Sequence, residues 1–232
     1  MNIQLTPRLK TIANLVTPGN RVADIGTDHG YISIYLVLNK ISNFVVASDV
    51  NEGPIKSAMN NIVKYNCNDR IVTRLGSGLE TIEPWEVDTA IIAGMGGILI
   101  KDLLEAKPEV TNSIKEFVLQ PMQAQNLLRR YLVNNGFIIK KDLLVREDNK
   151  IYEIIVAARG KQTVENEILY DIGFHIESNP KELAVEFISN KINKEERKIE
   201  QLQHADNNAT EDIYKDSLVK RKALKAVLDC LR

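Results

Sequence analysis

The chain has no apolar run close to the roughly 20 residues that a membrane-spanning helix requires. Residues 1–10 contain no apolar core of the kind found in secretory signal peptides. We therefore expect a soluble, cytoplasmic protein. The formal net charge of −1 provides no broad positive field for attracting nucleic acid. Any contact with RNA would have to come from local basic patches.

Cysteine and histidine are also scarce, with two cysteines and three histidines in 232 residues. Cys67 and Cys230 lie too far apart in the sequence to suggest a disulfide framework or a metal site. His175 and His204 are isolated and show no metal-ligand spacing. The G-x-S-x-G elbow of serine hydrolases is missing as well. We expect neither a bound metal nor hydrolase chemistry.

The most informative feature lies at residues 22–31, where a buried strand breaks into a glycine-bearing turn. Such a strand, turn and helix bring backbone N–H groups and a helix N-terminus to a nucleotide-like ligand. Asp24 and Asp28 would repel a pyrophosphate but attract a sulfonium and an ammonium group. The turn therefore favours S-adenosylmethionine over NAD as cofactor. Its candidate cofactor-binding residues are Asp24, Gly26, Thr27, His29 and Gly30.

Residues 1–160 alternate strand and helix patterns in a regular order. A leading amphipathic helix is predicted over 5–16, with Thr6 as its cap and Pro7 at its first position. Strands are predicted at 21–25, 44–48, 71–75, 88–93, 117–119, 136–145 and 150–158, with helices between them. The last two strands form a hairpin, which adds an antiparallel edge strand. This pattern predicts an α/β fold, a Rossmann-like class I methyltransferase domain with a seven-stranded, mostly parallel sheet.

The pattern changes after residue 160. Residues 161–180 are polar and irregular, and two helices broken near Asp206-Asn207-Asn208 are predicted from Pro180 onward. Apolar residues of the first helix follow three-four spacing, with Glu195 as the polar exception. The two helices form either an antiparallel coiled hairpin or a bundle packed on the main domain. We therefore predict two domains, 1–160 and 161–232.

Further candidate cofactor-binding residues follow the next three strands. Asp49, followed by Val50, ends the second strand, where a carboxylate accepts hydrogen bonds from both hydroxyls of a ribose. Ser77 and Gly78 end the third strand, where an adenine ring would be flanked, although a simple turn is the alternative. The loop after the fourth strand contributes Ala93, Gly94, Met95 and Gly96.

The loop around Gly94 contains no side chain that could act as a base or a nucleophile. It also lacks the Asn/Asp-Pro-Pro-aromatic motif that amino-group methyltransferases commonly carry at this point. A ring nitrogen with an available lone pair needs less activation, so a loop that only shapes a pocket would suffice. The candidate catalytic residues are Asp28, Met95 and Gln120. Core packing is an equal alternative for Met95, as is helix capping for Gln120.

Short basic groups on predicted helices are the candidates for RNA contact. We expect such contacts from Arg8, Lys10, Arg129, Arg130, Lys220 and Arg221. For each of them the alternative is a solvated charged face of a helix, which is the usual role of such groups.

Together these features resemble the bacterial tRNA (adenine(22)-N1)-methyltransferase family, often called TrmK. The resemblance is carried by Arg8-Leu9, Ala23-Asp24-Ile25-Gly26-Thr27-Asp28-His29-Gly30-Tyr31, Gly53-Pro54, Gly76-Ser77-Gly78-Leu79, Ile92-Ala93-Gly94-Met95-Gly96-Gly97, Leu119-Gln120-Pro121 and Tyr152-Glu153-Ile154. It covers about residues 5–160 strongly and the helical tail loosely. Ser77 is a departure, because family members often carry Asp there.

The resemblance implies methyl transfer from S-adenosylmethionine to N1 of adenine 22 in the D-arm of tRNA, and a C-terminal coiled-coil pair that binds tRNA. N1 lies on the Watson–Crick edge, so the adenine must be turned out to reach the methyl group. Tyr31, Met95 and Tyr152 are candidates to stack on it, and Asp28 is a candidate to stabilise the cationic product.

Two other functions remain as alternatives at this stage. One is a catalytically silent RNA-binding protein with a regulatory cofactor pocket, which the lack of a catalytic motif around Gly94 motivates. The other is an NAD-linked oxidoreductase, which the acidic turn at Gly26 disfavours. The sequence does not predict the oligomeric state.

Overall fold

The computed structural model describes residues 3–202 and 208–232. The chain divides into two compact units, Met1–Thr163 and Val164–Arg232. Helices of the first unit are α1 (Pro7–Asn14), α2 (Tyr31–Leu38), α3 (Glu52–Lys64), α4 (Gly97–Ala106), α5 (Pro108–Ser113) and α6 (Gln125–Asn134). Its strands are β1 (Val22–Ile25), β2 (Val45–Asp49), β3 (Ile71–Leu75), β4 (Thr89–Met95), β5 (Glu116–Pro121), β6 (Phe137–Glu147) and β7 (Lys150–Arg159). A 3-10 helix occupies Gly78–Thr81.

The seven strands form one sheet in the order β3-β2-β1-β4-β5-β7-β6. Strands β1 to β5 pair in parallel, which confirms the predicted Rossmann-like fold. β7 runs antiparallel between β5 and β6. The prediction of an antiparallel edge strand is therefore wrong, since the edge is β6, which runs in the same direction as β5. In the inner position the residues 153–158 of β7 are all buried, whereas the edge strand β6 carries several exposed residues.

Apolar runs determine which strands lie at the centre of the sheet. All four residues of β1 are buried, as are residues 89–92 of β4 and 117–121 of β5. Strands buried on both faces require helices packed against the sheet. α2 and α3 pack on β2 and β3, and α4 packs on β4 and β5. The carboxyl ends of the central strands are thereby left to connecting loops.

The leading helix begins where the sequence predicts. Thr6 Oγ1 accepts a hydrogen bond from the N–H of Leu9 at 3.5 Å, and Pro7 stands in the first turn. The helix ends at Asn14 rather than at residue 16. Helix α5 was not predicted, and the Thr111 hydroxyl anchors it by donating to the carbonyl of Leu104 at 2.8 Å.

The second unit is helical, with α7 (Ile168–Ile172), a 3-10 helix (Ile176–Ser178), α8 (Lys181–Leu202) and α9 (Asn208–Leu231). The prediction that 161–180 is irregular is wrong, because Ile168, Tyr170 and Ile172 are buried along one short helix. α8 and α9 pack against each other. Asp206 and Asn207, where the break was predicted, lie outside the described residues. The coiled-coil geometry stays a prediction.

Within residues 3–202 and 208–232, no helix is both long enough and apolar enough to cross a membrane. The same part of the chain contains no cluster of three His, Cys, Asp or Glu side chains that could hold a metal ion. Cys67 is buried, Cys230 is exposed, and the two do not form a disulfide with each other.

Candidate functional site

The strand order places a crevice at the carboxyl ends of β1 and β4. From β1 the chain winds toward one edge of the sheet, and from β4 it winds toward the other. In open α/β sheets, ligands bind at such a switch point. A cavity of about 280 Å³ lies there. Its wall consists of residues 24–29, Ala93 and Gly94, together with Arg8, Leu9, Tyr31 and Ile32.

The cavity gathers only part of the residues proposed from the sequence. Those in its wall are Arg8, Asp24, Gly26, Thr27, Asp28, His29, Ala93 and Gly94. Gly30, Asp49, Val50, Ser77, Gly78, Met95, Gly96 and Gln120 are all described by the structure but are not part of the wall. Most of this second group follows the ends of β2 to β5, along the same edge of the sheet.

Asp24 contributes a buried carboxylate to the cavity wall. It is 4% exposed, and its Oδ2 accepts hydrogen bonds from Thr27 Oγ1 at 2.8 Å and from Ser33 Oγ at 2.6 Å. Burial raises the pKa of Asp24 above 3.8, because removal from water disfavours the charged form, and the two hydroxyls oppose this only in part. A cation in the cavity would therefore stabilise the ionised carboxylate.

Ser33 is a member of the site that was not predicted from the sequence. It is fully buried and lies in α2, whose other residues are all aliphatic or aromatic. A lone serine in such a helix is a signal that could have revealed it, because a buried hydroxyl needs a hydrogen-bond partner.

The backbone of the first turn is already hydrogen-bonded within the protein. The N–H groups of Gly26 and Thr27 donate to the carbonyl of Ser48 at 2.8 and 2.9 Å, and the N–H of Gly30 donates to the carbonyl of Thr27. These three N–H groups are therefore not available to a ligand, since two of them tie the turn to β2 and the third closes the turn on itself. Gly26 has a φ of +78°, and a Cβ there would collide with Cε of Met95. Met95 thus packs against this turn.

His29 is fixed beside the exposed carboxylate of Asp28. The side chain of Asp28 is 72% exposed, and its Oδ2 lies 3.6 Å from His29 Nε2. His29 Nδ1 is hydrogen-bonded to Ser57 Oγ at 2.6 Å. The imidazole also stacks on the ring of Tyr31, with 5.3 Å between the ring centres. The cavity therefore has a polar wall whose aromatic groups are held in place.

Asp49 lies at the end of β2, where its carboxylate and carbonyl organise two loops. Asp49 Oδ1 accepts a hydrogen bond from the N–H of Asn51 at 2.8 Å. The carbonyl of Asp49 accepts from the N–H of Gly76 at 2.9 Å, which ties β2 to the loop that contains Ser77. The two loops expected to hold ribose and adenine are thereby kept together.

The glycine loop after β4 is held by the loop that follows β5. The N–H of Met122 donates to the carbonyl of Met95 at 2.8 Å. A Cβ on Gly97 would lie 2.5 Å from the carbonyl oxygen of Ala124, so a larger residue would push the loops apart. A Cβ on Gly94 would meet no atom within 4 Å, in keeping with its place in the cavity wall. The loop shapes the cavity and supplies no acid or base.

Arg8 points into the protein and not toward solvent. Its side chain is 19% exposed and forms an ion pair with Glu147, and its Nη1 donates to Oε1 of the fully buried Gln120. Glu147 could not be predicted as a partner of Arg8, since nothing in the sequence distinguishes it from other carboxylates near a hairpin turn.

Arg129 was predicted to contact RNA, and this prediction is wrong. The residue is 1% exposed, and its Nη2 lies 2.8 Å from carboxylate oxygens of both Asp142 and Glu153. Burial alone would lower the pKa of Arg129, but the two carboxylates outweigh burial and raise it. Arg129 shares the buried face of α6 with Leu128 and Leu132, which explains its inward position.

The remaining basic candidates differ in exposure. Lys10 and Arg130 are exposed, and Arg221 is half-buried. Lys220 Nζ lies 2.7 Å from Asp171 Oδ1 and 3.5 Å from Glu195 Oε1. The charge of Lys220 is therefore balanced within the helical unit. Its contact with Glu195 also explains why this polar residue interrupts the apolar stripe of α8.

The fold and the cavity define a class of protein, the Rossmann-like methyltransferases, and residues 5–155 match the family described as a methyltransferase domain. More particularly, the chain belongs to the tRNA (adenine(22)-N1)-methyltransferase family. It is 36% identical to the tRNA (adenine(22)-N(1))-methyltransferase of Bacillus subtilis over 158 residues, which are 68% of this chain and 66% of that relative.

Solved structures agree with this assignment over nearly the whole chain. The crystal structure of the B. subtilis M1A22 tRNA methyltransferase TrmK is similar with a TM-score of 0.89 and 30% identity, covering 98% of this chain and 100% of that one. A putative tRNA (m1A22) methyltransferase of Streptococcus pneumoniae, in complex with S-adenosyl-L-methionine, gives a TM-score of 0.86 and 29% identity. That likeness covers 97% of this chain and 100% of that one.

Proposed function

We propose that this protein transfers the methyl group of S-adenosylmethionine to N1 of adenine 22 in the D-arm of tRNA. The observation that carries the proposal is the cavity at the β1–β4 switch point, whose wall contains the carboxylates of Asp24 and Asp28. Membership of the tRNA (adenine(22)-N1)-methyltransferase family supports it over the alternative of a silent RNA-binding protein. A tRNA substrate would support a cytoplasmic location for the protein.

The residues present suit this cofactor. Asp24 is a carboxylate whose ionisation is disfavoured by burial, so a positively charged ligand beside it is favourable. Asp49 at the end of β2 would accept hydrogen bonds from the ribose hydroxyls. Ser77 and Gly78 would flank the adenine ring, and Ala93, Gly94 and Gly96 would allow the backbone of the β4 loop to lie close to the cofactor.

When bound, S-adenosylmethionine supplies an electrophilic methyl group, which adenine N1 accepts through its ring lone pair. Because N1 has that lone pair, the enzyme needs no base for the attack. This fits a β4 loop that carries no titratable side chain. Most of the catalysis is therefore positioning of the target base.

The target adenine must leave its stacked position to enter the site. Tyr31 is 41% exposed and lies in the cavity wall with His29 on its ring, so we assign the stacking role to Tyr31. Tyr152 is less exposed than Tyr31 and does not lie in the cavity wall. The exposed carboxylate of Asp28 lies in the same cavity wall as Tyr31. In this proposal it stabilises the positive charge that develops on the adenine.

The helical unit and the exposed basic residues of the first unit serve tRNA binding in this proposal. Lys10 and Arg130 are exposed, and Arg221 is the better candidate in α9 because Lys220 is already paired with Asp171. Contacts of this kind neutralise phosphate charge and weaken with added salt.

Methyl transfer to unmodified tRNA tests the proposal directly. The protein is incubated with labelled S-adenosylmethionine and tRNA from a strain that lacks it, and the modified nucleotide is mapped by mass spectrometry. We expect one N1-methyladenine at position 22. A tRNA with guanine at position 22 is the matched control and should stay unlabelled. Cofactor binding without any label on tRNA would instead support the silent RNA-binding protein.

A further inference from the structure

The side chain of Arg8 is held on three sides at the cavity wall. Its Nη1 donates to Gln120 Oε1 at 2.6 Å and its Nε donates to Glu147 Oε1 at 3.4 Å. The guanidinium lies 5.1 Å from the centre of the Tyr152 ring. The backbone N–H of Arg8 donates to Glu147 Oε2 at 3.0 Å. An arginine in the first turn of a helix is thus fixed toward the interior.

These partners come from three strands that meet at one edge of the sheet. Gln120 lies near the carboxyl end of β5, and Glu147 ends β6, which runs in the same direction. Tyr152 lies near the start of the antiparallel β7 and therefore at the same edge. This is the edge that holds the cavity, so the hairpin of β6 and β7 has a direct connection to the site.

Gln120 is engaged at both ends of its side-chain amide. Its Oε1 accepts from Arg8, and its Nε2 donates to the carbonyl of Pro121 at 3.2 Å. The residue is fully buried. Gln120 therefore fixes the position of Arg8. This contact explains its buried amide without the catalytic role proposed for it from the sequence.

Glu147 is the ion-pair partner of Arg8. Partial burial opposes its ionisation, but hydrogen bonds from Thr6 and Arg8 lower the pKa of Glu147 below 4.5. The carboxylate is therefore ionised at neutral pH. Because Arg8 already has this partner, it does not need to pair with Asp24 or Asp28 across the cavity.

Arg8 is the one lysine or arginine among the described residues of the cavity wall. The methyl donor carries a sulfonium and an ammonium group, which suit the aspartates, and one carboxylate, which requires a cation. Guanidinium and carboxylate form short, charge-assisted hydrogen bonds. The charge pattern of the cavity is thus complementary to all three ionic groups of the donor.

Resting on the proposed function, we propose that Gln120 and Glu147 are positioning residues that hold the Arg8 guanidinium at the cavity wall to bind the carboxylate of S-adenosylmethionine. Arg8 then contacts the cofactor and not RNA phosphate. Gln120 and Glu147 act through it, without touching the cofactor themselves.

Affinities for two ligands test the inference. S-adenosylmethionine and its decarboxylated form differ only in the carboxylate, and both are titrated calorimetrically against the full-length protein. We expect the wild-type protein to prefer S-adenosylmethionine by about 10–100-fold. The Arg8→Ala variant should bind both ligands about equally.

Two further variants test the positioning role. Gln120→Met and Glu147→Gln should each reduce the preference by about 3–10-fold, with little change in affinity for the decarboxylated ligand. That unchanged affinity also shows that the variants are folded. Arg70→Ala is the matched control, because Arg70 pairs with its neighbour Asp69 and should keep the wild-type preference.

The outcomes distinguish the role of Arg8 from the role of its partners Gln120 and Glu147. A wild-type preference in Arg8→Ala overturns the assignment of Arg8, and a loss of tRNA affinity alone in that variant makes Arg8 an RNA contact instead. A full preference in both Gln120→Met and Glu147→Gln overturns the positioning role. If the wild-type protein binds neither ligand, the proposed function fails, and this inference with it.

Discussion

Arg129 Nη2 lies 2.8 Å from Glu153 Oε2, although both side chains are at most 5% exposed. Asp142, which lies on β6, has its Oδ1 at the same distance from Arg129 Nη2. Three charges are thus buried together where α6 packs on the β6–β7 hairpin. Removing one partner of such a cluster leaves the others charged and unpaired in a poorly solvated interior.

We therefore predict that Arg129→Met destabilises the protein by about 3–5 kcal/mol, because two buried carboxylates lose their counter-charge. Urea unfolding at neutral pH measures this free energy. Arg130→Ala is the matched control in the next, exposed position, and it should change stability by less than about 0.5 kcal/mol. For tRNA affinity we expect the opposite order of effects, with Arg130→Ala weakening binding more than Arg129→Met. Equal stability of the two variants would contradict the buried ion cluster.

Asp49→Ala should weaken binding of S-adenosylmethionine by about 10–100-fold, because charge-assisted hydrogen bonds to two ribose hydroxyls are lost. Isothermal titration calorimetry gives the affinity directly. Asp69→Ala removes a carboxylate that pairs with Arg70 and serves as the control. If Asp49→Ala binds the cofactor as tightly as the wild-type protein, Asp49 is not part of the site.

Asp24→Asn should stabilise the cofactor-free protein at neutral pH while weakening cofactor binding. The folded-state pKa of Asp24 is raised above 3.8 by burial, so ionisation costs stability as the pH rises from 3.8 through that higher pKa. Asparagine carries no such cost and still has an oxygen that accepts from Thr27 and Ser33.

Urea unfolding of Asp24→Asn and wild type at a series of pH values from below 3.8 to neutral checks this dependence. The stability difference in favour of the variant should grow with pH through the window and then level off. A difference that stays constant across the series would show that Asp24 titrates with an ordinary pKa.

Deletion of residues 164–232 should spare cofactor binding and weaken tRNA binding. The first unit retains its sheet and Gln162, whose Oε1 accepts from the N–H of Ile139 at 2.8 Å. Thermal unfolding with and without S-adenosylmethionine shows whether the remaining unit is folded and binds. Methylation of tRNA by the shortened protein at the full rate would assign the helical unit another role.

Much of the fold could be predicted because it rests on local patterns. The apolar runs at β1, β4 and β5, the glycine turn at Gly26 and the cap at Thr6 are properties of neighbouring residues. The internal position of β7 could not be predicted, because a hairpin pattern does not show which of its strands pairs with β5.

For the candidate site, the sequence predicted which loops take part but not where each side chain points. Asp24 and Gly94 line the cavity as expected. The neighbouring arginines at 129 and 130 look alike in sequence, yet one is buried and the other exposed. A rotation of one residue along a helix decides that difference, and packing against β6 and β7 fixes the rotation.

The sequence by itself determined the α/β order, the acidic turn that suits a cationic methyl donor, and the family to which the chain belongs. Only the tertiary structure decided that Ser33 supports Asp24 and that Gln120 and Glu147 hold Arg8. Residue 8 is separated from residues 120 and 147 by most of the first unit. Their contact exists only because β5 and β6 end where α1 begins, at the same edge of the sheet.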